Sequence, residues 1–238
     1  MGFSKDLIEK DKDFFRFLVD RHEKLKTFNL KTEVKDPKKT AIFSADMIVG
    51  FCYQGNLASD RIRKLIAPIV ELFKKANSLG IDKFVLIQDT HDPDALEFEA
   101  WSPHCVTGTK ESETVPEMAN LEFSNKFTVI PKNTLHPAIN TKMDDWLDNN
   151  KELQDFIVVG NCTDLCVYNL AMYLRLRANA YKLQDQRVIL PADCVNTYDL
   201  PVRQAESLGA FPHPGDLLHL LFLYHMALNG ILVVEKIT

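Results

Sequence analysis

The chain has 238 residues, of which 46% are hydrophobic and 26% are charged. This composition is ordinary for a soluble globular protein, so a disordered chain, a collagen-like chain and a small disulfide-bonded scaffold are excluded. The formal net charge of -5 argues against nucleic acid as the main partner, since phosphate binding normally needs a basic surface.

The sequence also indicates where the protein works. Acidic and basic residues alternate from Lys5 onward, so the N-terminus lacks the apolar core of a secretory signal. We expect no membrane span, because no apolar run approaches the length of about 20 residues that a spanning helix needs. The five cysteines are odd in number and scattered, which fits a reducing compartment better than a disulfide framework. We therefore expect a cytoplasmic protein that does not bind membranes.

The N-terminal part of the chain is predicted to be helical. Residues 6–25 carry apolar side chains at helical spacing, and residues 27–39 are interpreted as a linker. We expect the helix to pack on the domain or on a neighbouring subunit of a homo-oligomer. The sequence thus predicts an N-terminal helix and linker at residues 1–39, followed by one α/β domain at residues 40–238.

Six short apolar, β-branched or aromatic runs alternate with helical stretches in the rest of the chain. This alternation is typical of a parallel sheet covered by helices on both faces, so we predict a three-layer αβα fold with a six-stranded parallel sheet. A helix is predicted over residues 62–76, with a kink at Pro68 and an end at Gly80, and a last helix over about 215–228. The predicted strands are residues 40–45, 83–88, 126–131, 156–160, 186–190 and 231–234.

Reactive side chains follow four of these runs. Asp46 follows the first, Asp89 and His91 the second, and Lys132 the third, while Cys166 lies just beyond the fourth. Ligands of open parallel sheets bind outside the carboxyl ends of the strands. We therefore expect these five residues to line one crevice.

Cys166 lies where an apolar strand meets a short turn and then a helical run. Thr163 or Asp164 is the predicted N-cap, which puts Cys166 in the first helical turn, where the helix end is expected to lower the thiol pKa. A cysteine is otherwise most often a small buried hydrophobe. A nucleophilic thiolate needs a proton acceptor and a positive neighbour, and Asp46 and Lys132 are the candidates. Taken alone, such an aspartate is more often a helix cap and such a lysine is more often solvated.

A second group of reactive side chains follows the second strand. Asp89 and His91 are two residues apart and can project from the same side of an extended segment, and Glu97 and His104 follow in one loop. Carboxylate and imidazole ligands suit zinc, iron or manganese. A lone Asp-x-His pair is common by chance, but the four residues together indicate a metal site.

Four segments between residues 41 and 195 carry recognisable motifs. They are Asp-Met-Ile-Val-Gly-Phe-Cys at 46–52, Asp-Thr-His at 89–91, Trp-Ser-Pro-His-Cys-Val-Thr-Gly-Thr at 101–109, and a Gly-x-x-Thr-Asp-x-Cys-Val segment at 160–167. In these segments the chain resembles the isochorismatase-like cysteine hydrolases, and among them the nicotinamidases. The segment at 101–109 is the most specific of the four.

The resemblance implies a catalytic triad, a metal site, an oxyanion hole after a cis peptide bond that precedes Cys162, and two aromatic residues on either side of a pyridine ring. The implied residues are Asp46, Lys132 and Cys166 for the triad; Asp89, His91 and His104, with Glu97 as a fourth and sometimes water-mediated ligand, for the metal; the N–H groups of Cys162 and Cys166 for the oxyanion hole; and Phe51 and Trp101 for the ring.

The implied reaction is hydrolysis of nicotinamide to nicotinic acid and ammonia through a thioester, a step of NAD salvage. One alternative is a related amidohydrolase that acts on another small amide or on a carbamoyl or ureido compound, which would keep the triad and lack the metal motif. Another is a non-catalytic member of the fold, in which the N-terminal helix serves assembly. The metal motif argues against the first alternative and the intact triad against the second.

Overall fold

The computed structural model describes residues 6–238 and contains the parallel sheet that the alternating pattern predicts. The strand order is β3-β2-β1-β4-β5-β7, with β6 paired beside β4, and all pairings are parallel. The predicted six strands are confirmed, and the two-residue β6 was not predicted because so short a run carries no periodicity. The strands are β1 (Thr40–Ala45), β2 (Lys83–Asp89), β3 (Phe127–Lys132), β4 (Asp155–Asn161), β5 (Arg187–Pro191), β6 (Val195–Asn196) and β7 (Leu232–Val234).

Helices cover both faces of the sheet, which confirms the three-layer αβα prediction. The core on one face joins α5 to the sheet, and the core on the other face joins α7, α8 and α10 to it. Among residues 6–238, no helix is long and apolar enough to cross a membrane. The helices are α1 (Leu7–Glu23), α2 (Leu30–Glu33), α3 (Val49–Cys52), α4 (Asp60–Arg63), α5 (Ile66–Ser78), α6 (Pro116–Ala119), α7 (Met143–Asp148), α8 (Cys166–Ala180), α9 (Val202–Leu208) and α10 (Gly215–Leu228).

The predicted helix over residues 62–76 is divided into α4 and α5. Pro68 lies in the first turn of α5. It has no N–H to donate to the carbonyl of Lys64, and a proline ring crowds the carbonyl four residues earlier. The helix is therefore interrupted between α4 and α5 instead of being kinked. The predicted end at Gly80 is confirmed. Gly80 has φ +92°, and the N–H of Ile81 donates to the carbonyl of Ala76 at 3.0 Å, which is a Schellman motif.

The N-terminal segment is packed against the rest of the domain. Leu18 of α1 is buried, and the Phe14 ring meets the Tyr224 ring of α10 edge-on with 5.4 Å between centroids. Residues 27–39, interpreted from the sequence as a linker, bury Phe28 and Leu30. The N–H of Phe28 donates to the carbonyl of Lys236 at 2.9 Å. This segment is therefore an integral part of the fold and not an exposed connection.

The register of the central strands aligns their carboxyl ends. Ala45 at the end of β1 lies opposite Gly160 of β4, and Asp89 at the end of β2 lies opposite Lys132 of β3. Gly160 is required at this contact, because a Cβ there would lie 2.0 Å from the carbonyl oxygen of Ala45. The close approach of β1 and β4 brings the residues that follow both strands to one edge of the sheet.

Candidate active site

The structure brings the strand-end residues together at this edge. Asp46 follows β1, Asp89 ends β2, Lys132 ends β3, and Cys166 begins α8 just after β4. Asp46 and Asp89 are 0% and 1% exposed, Lys132 is 3% exposed and Cys166 is 6% exposed. Charged groups buried this deeply are costly unless they are paired, so their mutual contacts decide whether the site is stable.

Lys132 is the centre of these contacts. Its Nζ lies 3.0 Å from Oδ2 of Asp46 and 3.4 Å from Sγ of Cys166, and it donates a short hydrogen bond to Oδ1 of Asp89. The sequence led us to expect Lys132 beside Asp46 and Cys166, whereas its contact with Asp89 was not expected. One ammonium group therefore joins two carboxylates and a thiol.

Asp46 is held in place by the backbone. Its Oδ1 accepts from the N–H of Asp89 at 2.7 Å, and its own φ is +52°, a strained conformation for a residue other than glycine. One carboxylate oxygen of Asp46 lies within 4.8 Å of the sulfur of Cys166. Asp46 is thus positioned to take a proton from Cys166.

The pKa values of these groups follow from burial first and from charge second. Burial raises the pKa of Asp46 to about 6, with the charge of Asp89 adding to the rise and that of Lys132 opposing it. Burial alone would lower the pKa of Lys132, but the charges of Asp46 and Asp89 raise it well above its usual value, so the lysine stays charged.

The expectation that the helix end lowers the thiol pKa is wrong. Burial raises the pKa of Cys166 well above its usual value, and the charge of Asp46 raises it further, while Lys132 opposes both. Desolvation of a fully enclosed thiol outweighs the helix N-terminus. The thiol therefore keeps its proton until a neighbouring group removes it.

The turn before α8 also differs from the predicted one. The helix begins at Cys166, as expected, but its N-cap is Leu165, which makes no side-chain cap hydrogen bond. Thr163 and Asp164 do not cap the helix because their side chains have distant partners: Oγ1 of Thr163 lies 2.8 Å from Nδ1 of His219, and Oδ2 of Asp164 lies 2.8 Å from Nε2 of His213. The first turn of α8 is therefore left without a side-chain acceptor.

The peptide bond between Asn161 and Cys162 is cis, as the resemblance implies. The side chain of Asn161 donates from Nδ2 to the carbonyl oxygen of Asp46 at 2.6 Å, which joins this turn to the end of β1. Within residues 6–238, the N–H groups of Cys162 and Cys166 have no protein acceptor, and both cysteines line the same cavity. Two backbone donors are thus available beside the sulfur of Cys166.

Asp89, His91 and His104 converge on the other side of Lys132. Their ligand atoms all lie within 4.8 Å of one another, with Nε2 of His91 at 3.5 Å and Nε2 of His104 at 4.0 Å from the two carboxylate oxygens of Asp89. The loop after β2 folds back to achieve this, because the N–H of His91 donates to the carbonyl of Cys105 at 3.0 Å. His104 is thereby brought beside His91, 13 positions earlier in the chain.

The surroundings of the two histidines fit a divalent metal. Nδ1 of His91 lies 3.1 Å from Oδ1 of Asn133, and Nδ1 of His104 lies 2.8 Å from the carbonyl oxygen of Ser102, so both Nε2 atoms face Asp89. Metal-binding histidines are commonly oriented by such a bond from the other ring nitrogen. Nε2 of His91 is buried without a hydrogen-bond partner, which is costly unless a ligand takes it.

Glu97 lies close to this group without joining it. Its ligand atoms are not among those that converge, but its Oε1 is buried without a hydrogen-bond partner, and the residue lines the cavity that reaches His104. Burial lowers the pKa of His104, whereas at His91 the lowering by burial is outweighed by Asp89 and the pKa is raised; the charge of Glu97 makes a smaller upward contribution at both.

One cavity of about 510 Å³ connects these features. Cys166, Asp46 and Asp89 are among the residues that line it. Phe51 and Trp101 line it too, and the Phe51 ring lies 5.6 Å from the His104 ring. The predicted aromatic residues and the predicted nucleophile therefore face one enclosed space.

Part of the cavity wall was not predicted. Leu135, Tyr198 and Gln204 line the same cavity, and the last two lie beyond residue 195, outside the span of the sequence motifs. They belong to irregular or short helical segments without a motif, so only their position in the fold identifies them.

Comparisons with known proteins agree with this architecture. The model of the Isochorismatase domain matches residues 40–213. Nicotinamidase 1 of Arabidopsis thaliana is 31% identical over 207 residues, which are 81% of this chain and 84% of that protein. The structure of nicotinamidase from Bacillus subtilis aligns with a TM-score of 0.65 at 21% identity, over 83% of this chain and 99% of the other. The structure of pyrazinamidase from Pyrococcus horikoshii in complex with zinc aligns with a TM-score of 0.63 at 21% identity, over 83% of this chain and 99% of the other.

The family match and the curated relative together support hydrolysis of amides, and the chain is an enzyme of that class. It belongs to the Isochorismatase domain family.

Proposed function

We propose that the enzyme hydrolyses nicotinamide to nicotinic acid and ammonia. The observation that carries the proposal is the single cavity in which Cys166, the Asp46 carboxylate and the Asp89 and His104 side chains all meet. A sulfur nucleophile with a proton acceptor explains amide cleavage, and a group of metal ligands at the same cavity explains recognition of a ring nitrogen.

In the first half of the reaction, Asp46 takes the proton of the Cys166 thiol as the sulfur attacks the carboxamide carbon. The pKa of about 6 suits Asp46 to accept a proton near neutral pH and to release it again. Asp46 then gives the proton to the departing nitrogen, the C–N bond breaks, and ammonia leaves. Lys132 stays charged throughout and stabilises the sulfur anion at 3.4 Å.

In the second half, a water molecule attacks the resulting thioester and Asp46 takes one of its protons. The C–S bond breaks, nicotinic acid leaves, and the sulfur of Cys166 recovers its proton. Each attack places negative charge on the carbonyl oxygen, and the N–H groups of Cys162 and Cys166 are our candidates for its oxyanion hole. One such donor is worth about 3 to 4 kcal/mol in comparable sites.

Asp89, His91 and His104 would hold the divalent metal, with Glu97 as a fourth ligand, directly or through water. Zinc suits two imidazoles and carboxylates best, and iron or manganese would also accept them. When bound, the metal supplies a Lewis acid for the pyridine nitrogen and so orients the ring. Phe51 and Trp101 are the side chains that we expect to enclose the ring faces.

We infer a cytoplasmic location from the cysteines. All five are free in the structure, and four of them are buried, including Cys52, Cys105 and Cys194. Reduced thiols are the rule where glutathione keeps the compartment reducing. The product, nicotinic acid, would feed NAD salvage there.

Ammonia release from a panel of amides tests the proposal. We expect nicotinamide and its ring analogue pyrazinamide to be cleaved far faster than ureido and carbamoyl compounds. Preference for the ureido compounds, with no effect of chelation, would assign the chain to the related amidohydrolases instead. Absence of cleavage for every amide would favour a non-catalytic member of the fold.

A further inference from the structure

A third aromatic residue lines the cavity, and it belongs to none of the four motif segments of the sequence. Tyr198 lines the cavity, and its ring meets the Trp101 ring edge-on with 6.2 Å between centroids. Cys162, in the turn before Cys166, lines the same cavity. Tyr198 therefore shares one cavity with Trp101 and with the turn that precedes Cys166.

The Tyr198 ring is held by a histidine on its other side. The His213 ring stacks on it with 3.7 Å between centroids and an angle of 18° between planes. Nδ1 of His213 lies 2.9 Å from the carbonyl oxygen of Tyr198, and Nε2 lies 2.8 Å from Oδ2 of Asp164. Asp164 precedes Cys166 by two residues, so this chain of contacts fixes the ring relative to the nucleophile.

The backbone around this pair is also constrained. Leu200 and His213 exchange two hydrogen bonds of 2.8 Å each, and the N–H of Gly215 donates to Oδ1 of Asp199 at 2.8 Å. A Cβ on Gly215 would lie 2.5 Å from the carbonyl oxygen of Tyr198. These contacts hold the backbone around Tyr198 and thereby limit the positions that its ring can take.

We propose that Tyr198 is a substrate-positioning residue that contacts the ring of the bound amide, and that His213, anchored by Asp164, sets the position of Tyr198. The proposal rests on the proposed function, because the ring to be positioned is that of nicotinamide or a close analogue. Tyr198 completes an aromatic enclosure with Phe51 and Trp101, and it acts on binding rather than on bond cleavage.

Steady-state kinetics of four variants test this proposal. In Tyr198→Leu we expect KM for nicotinamide to rise about fivefold to tenfold, the size of effect of one lost aromatic contact, with kcat within about twofold. Tyr198→Phe keeps the ring and should retain the original KM, since no residue within 6–238 hydrogen bonds to the hydroxyl. His213→Ala should raise KM about threefold, and His213→Gln, whose amide still reaches Asp164, should raise it less.

Matched surface variants are the controls. Tyr181→Leu and His225→Gln replace the same residue types at positions that do not line the cavity, so both constants should stay unchanged. Thermal unfolding of every variant separates loss of fold from loss of binding. An unchanged KM in both Tyr198→Leu and His213→Ala would overturn the proposal, as would a fall in kcat alone.

Two further measurements separate this proposal from the proposed function. If the original enzyme cleaves another amide and not nicotinamide, the substrate assignment fails, and the same variants are compared on the amide that is cleaved. The second measurement is the rate at which iodoacetamide alkylates Cys166 with and without nicotinic acid. The protection that nicotinic acid gives reports its binding to each variant without turnover. Equal protection of the original enzyme and of Tyr198→Leu would contradict a positioning role for Tyr198.

Discussion

Two parts of the cavity are built in different ways. The ionic cluster consists of Asp46, Asp89, Lys132 and Cys166, which lie at the ends of strands or the start of a helix and are almost fully buried. The aromatic wall consists of Phe51, Trp101 and Tyr198, which come from a short helix and two loops, and of which Trp101 and Tyr198 are only half-buried. The ends of strands hold the groups to which we assign proton exchange, whereas a short helix and two loops hold the groups that we expect to surround the substrate.

This difference predicts a division of labour. Side chains on a fixed scaffold keep reacting atoms within hydrogen-bonding distance, which is what proton transfer demands. Side chains on loops adapt to the shape of a ligand and change more easily between relatives. Substitutions in the ionic cluster should therefore act on kcat, and substitutions in the aromatic wall should act on KM. The following predictions are arranged from the largest expected effect to the smallest.

Cys166→Ala should lower kcat by at least about a thousandfold, because the proposed thioester forms on the Cys166 sulfur beside Asp46 and Lys132. The fold and nicotinic acid binding should persist, since loss of a thiol leaves only a small cavity. Turnover and binding are measured on the same preparation. Cys194→Ala, which removes a buried thiol outside the cavity, is the control and should remain active. Full activity of Cys166→Ala would exclude it as the nucleophile.

Lys132→Met should abolish turnover and slow alkylation of Cys166 at neutral pH, because two buried carboxylates and the thiol lose their common cation. Breaking a buried ion pair on one side costs about 3 to 5 kcal/mol of unfolding free energy, which denaturant titration measures. Lys132→Arg keeps the charge but has a different reach, so we expect it to be nearly as inactive.

The control for Lys132 is Lys126→Met, just before the same strand, where the exposed Nζ lies 2.7 Å from Oδ1 of Asn77. Turnover and unfolding free energy should both stay close to those of the original enzyme in this variant. Loss of activity in Lys126→Met, together with an unaffected Lys132→Met, would show that Lys126 and not Lys132 is the lysine of the active site.

His91→Ala, or treatment with a chelator, should raise KM for nicotinamide by about tenfold or more and lower kcat less, because a metal that orients the ring acts mainly through binding. Metal analysis of the purified enzyme should give close to one divalent ion per chain, and less in His91→Ala. His136→Ala, at a histidine outside the metal group, is the matched control. A fall in kcat with an unchanged KM would instead point to a metal-activated water.

Trp101→Leu should raise KM about threefold to tenfold at nearly constant kcat, while Trp101→Phe should keep most of the affinity because it retains a ring face. Leu96→Ala, at a residue 83% exposed in the same loop, should change neither constant. If Trp101→Leu lowered kcat as strongly as Lys132→Met, the division between the two parts of the cavity would be untenable.

The sequence predicted the ionic cluster better than the aromatic wall for a physical reason. A buried parallel strand is a mostly apolar run without charges, so its end is marked by the first charged residue, as at Asp46. Parallel strands end at one edge, and this places Asp46, Asp89 and Lys132 together without knowledge of loops. Tyr198 follows the two-residue β6 and has no periodic neighbours that would mark it.

The wrong predictions concern interactions between residues far apart in sequence. Thr163 and Asp164 have side chains that are typical of N-caps. The Thr163 side chain instead hydrogen bonds to His219, 56 positions away, and the Asp164 side chain to His213, 49 positions away. The pKa of Cys166 was predicted from its helix, whereas the depth of burial decides it. Local sequence shows neither which distant side chain a residue will hydrogen bond to nor how deeply a thiol will be buried.

The pairing of β1 with β4 also has a consequence for biosynthesis. Thr40 of β1 lies opposite Asp155 of β4. More than a hundred further residues must therefore be synthesised before this edge of β1 can pair with β4. Contacts of such long sequence separation slow folding, and an unpaired apolar strand edge is open to association with other chains. On the ribosome, β1 can pair with β2 first and must keep its other edge free. The pairing that aligns the ends of β1 and β4 is therefore also a step before which the nascent chain is exposed to aggregation.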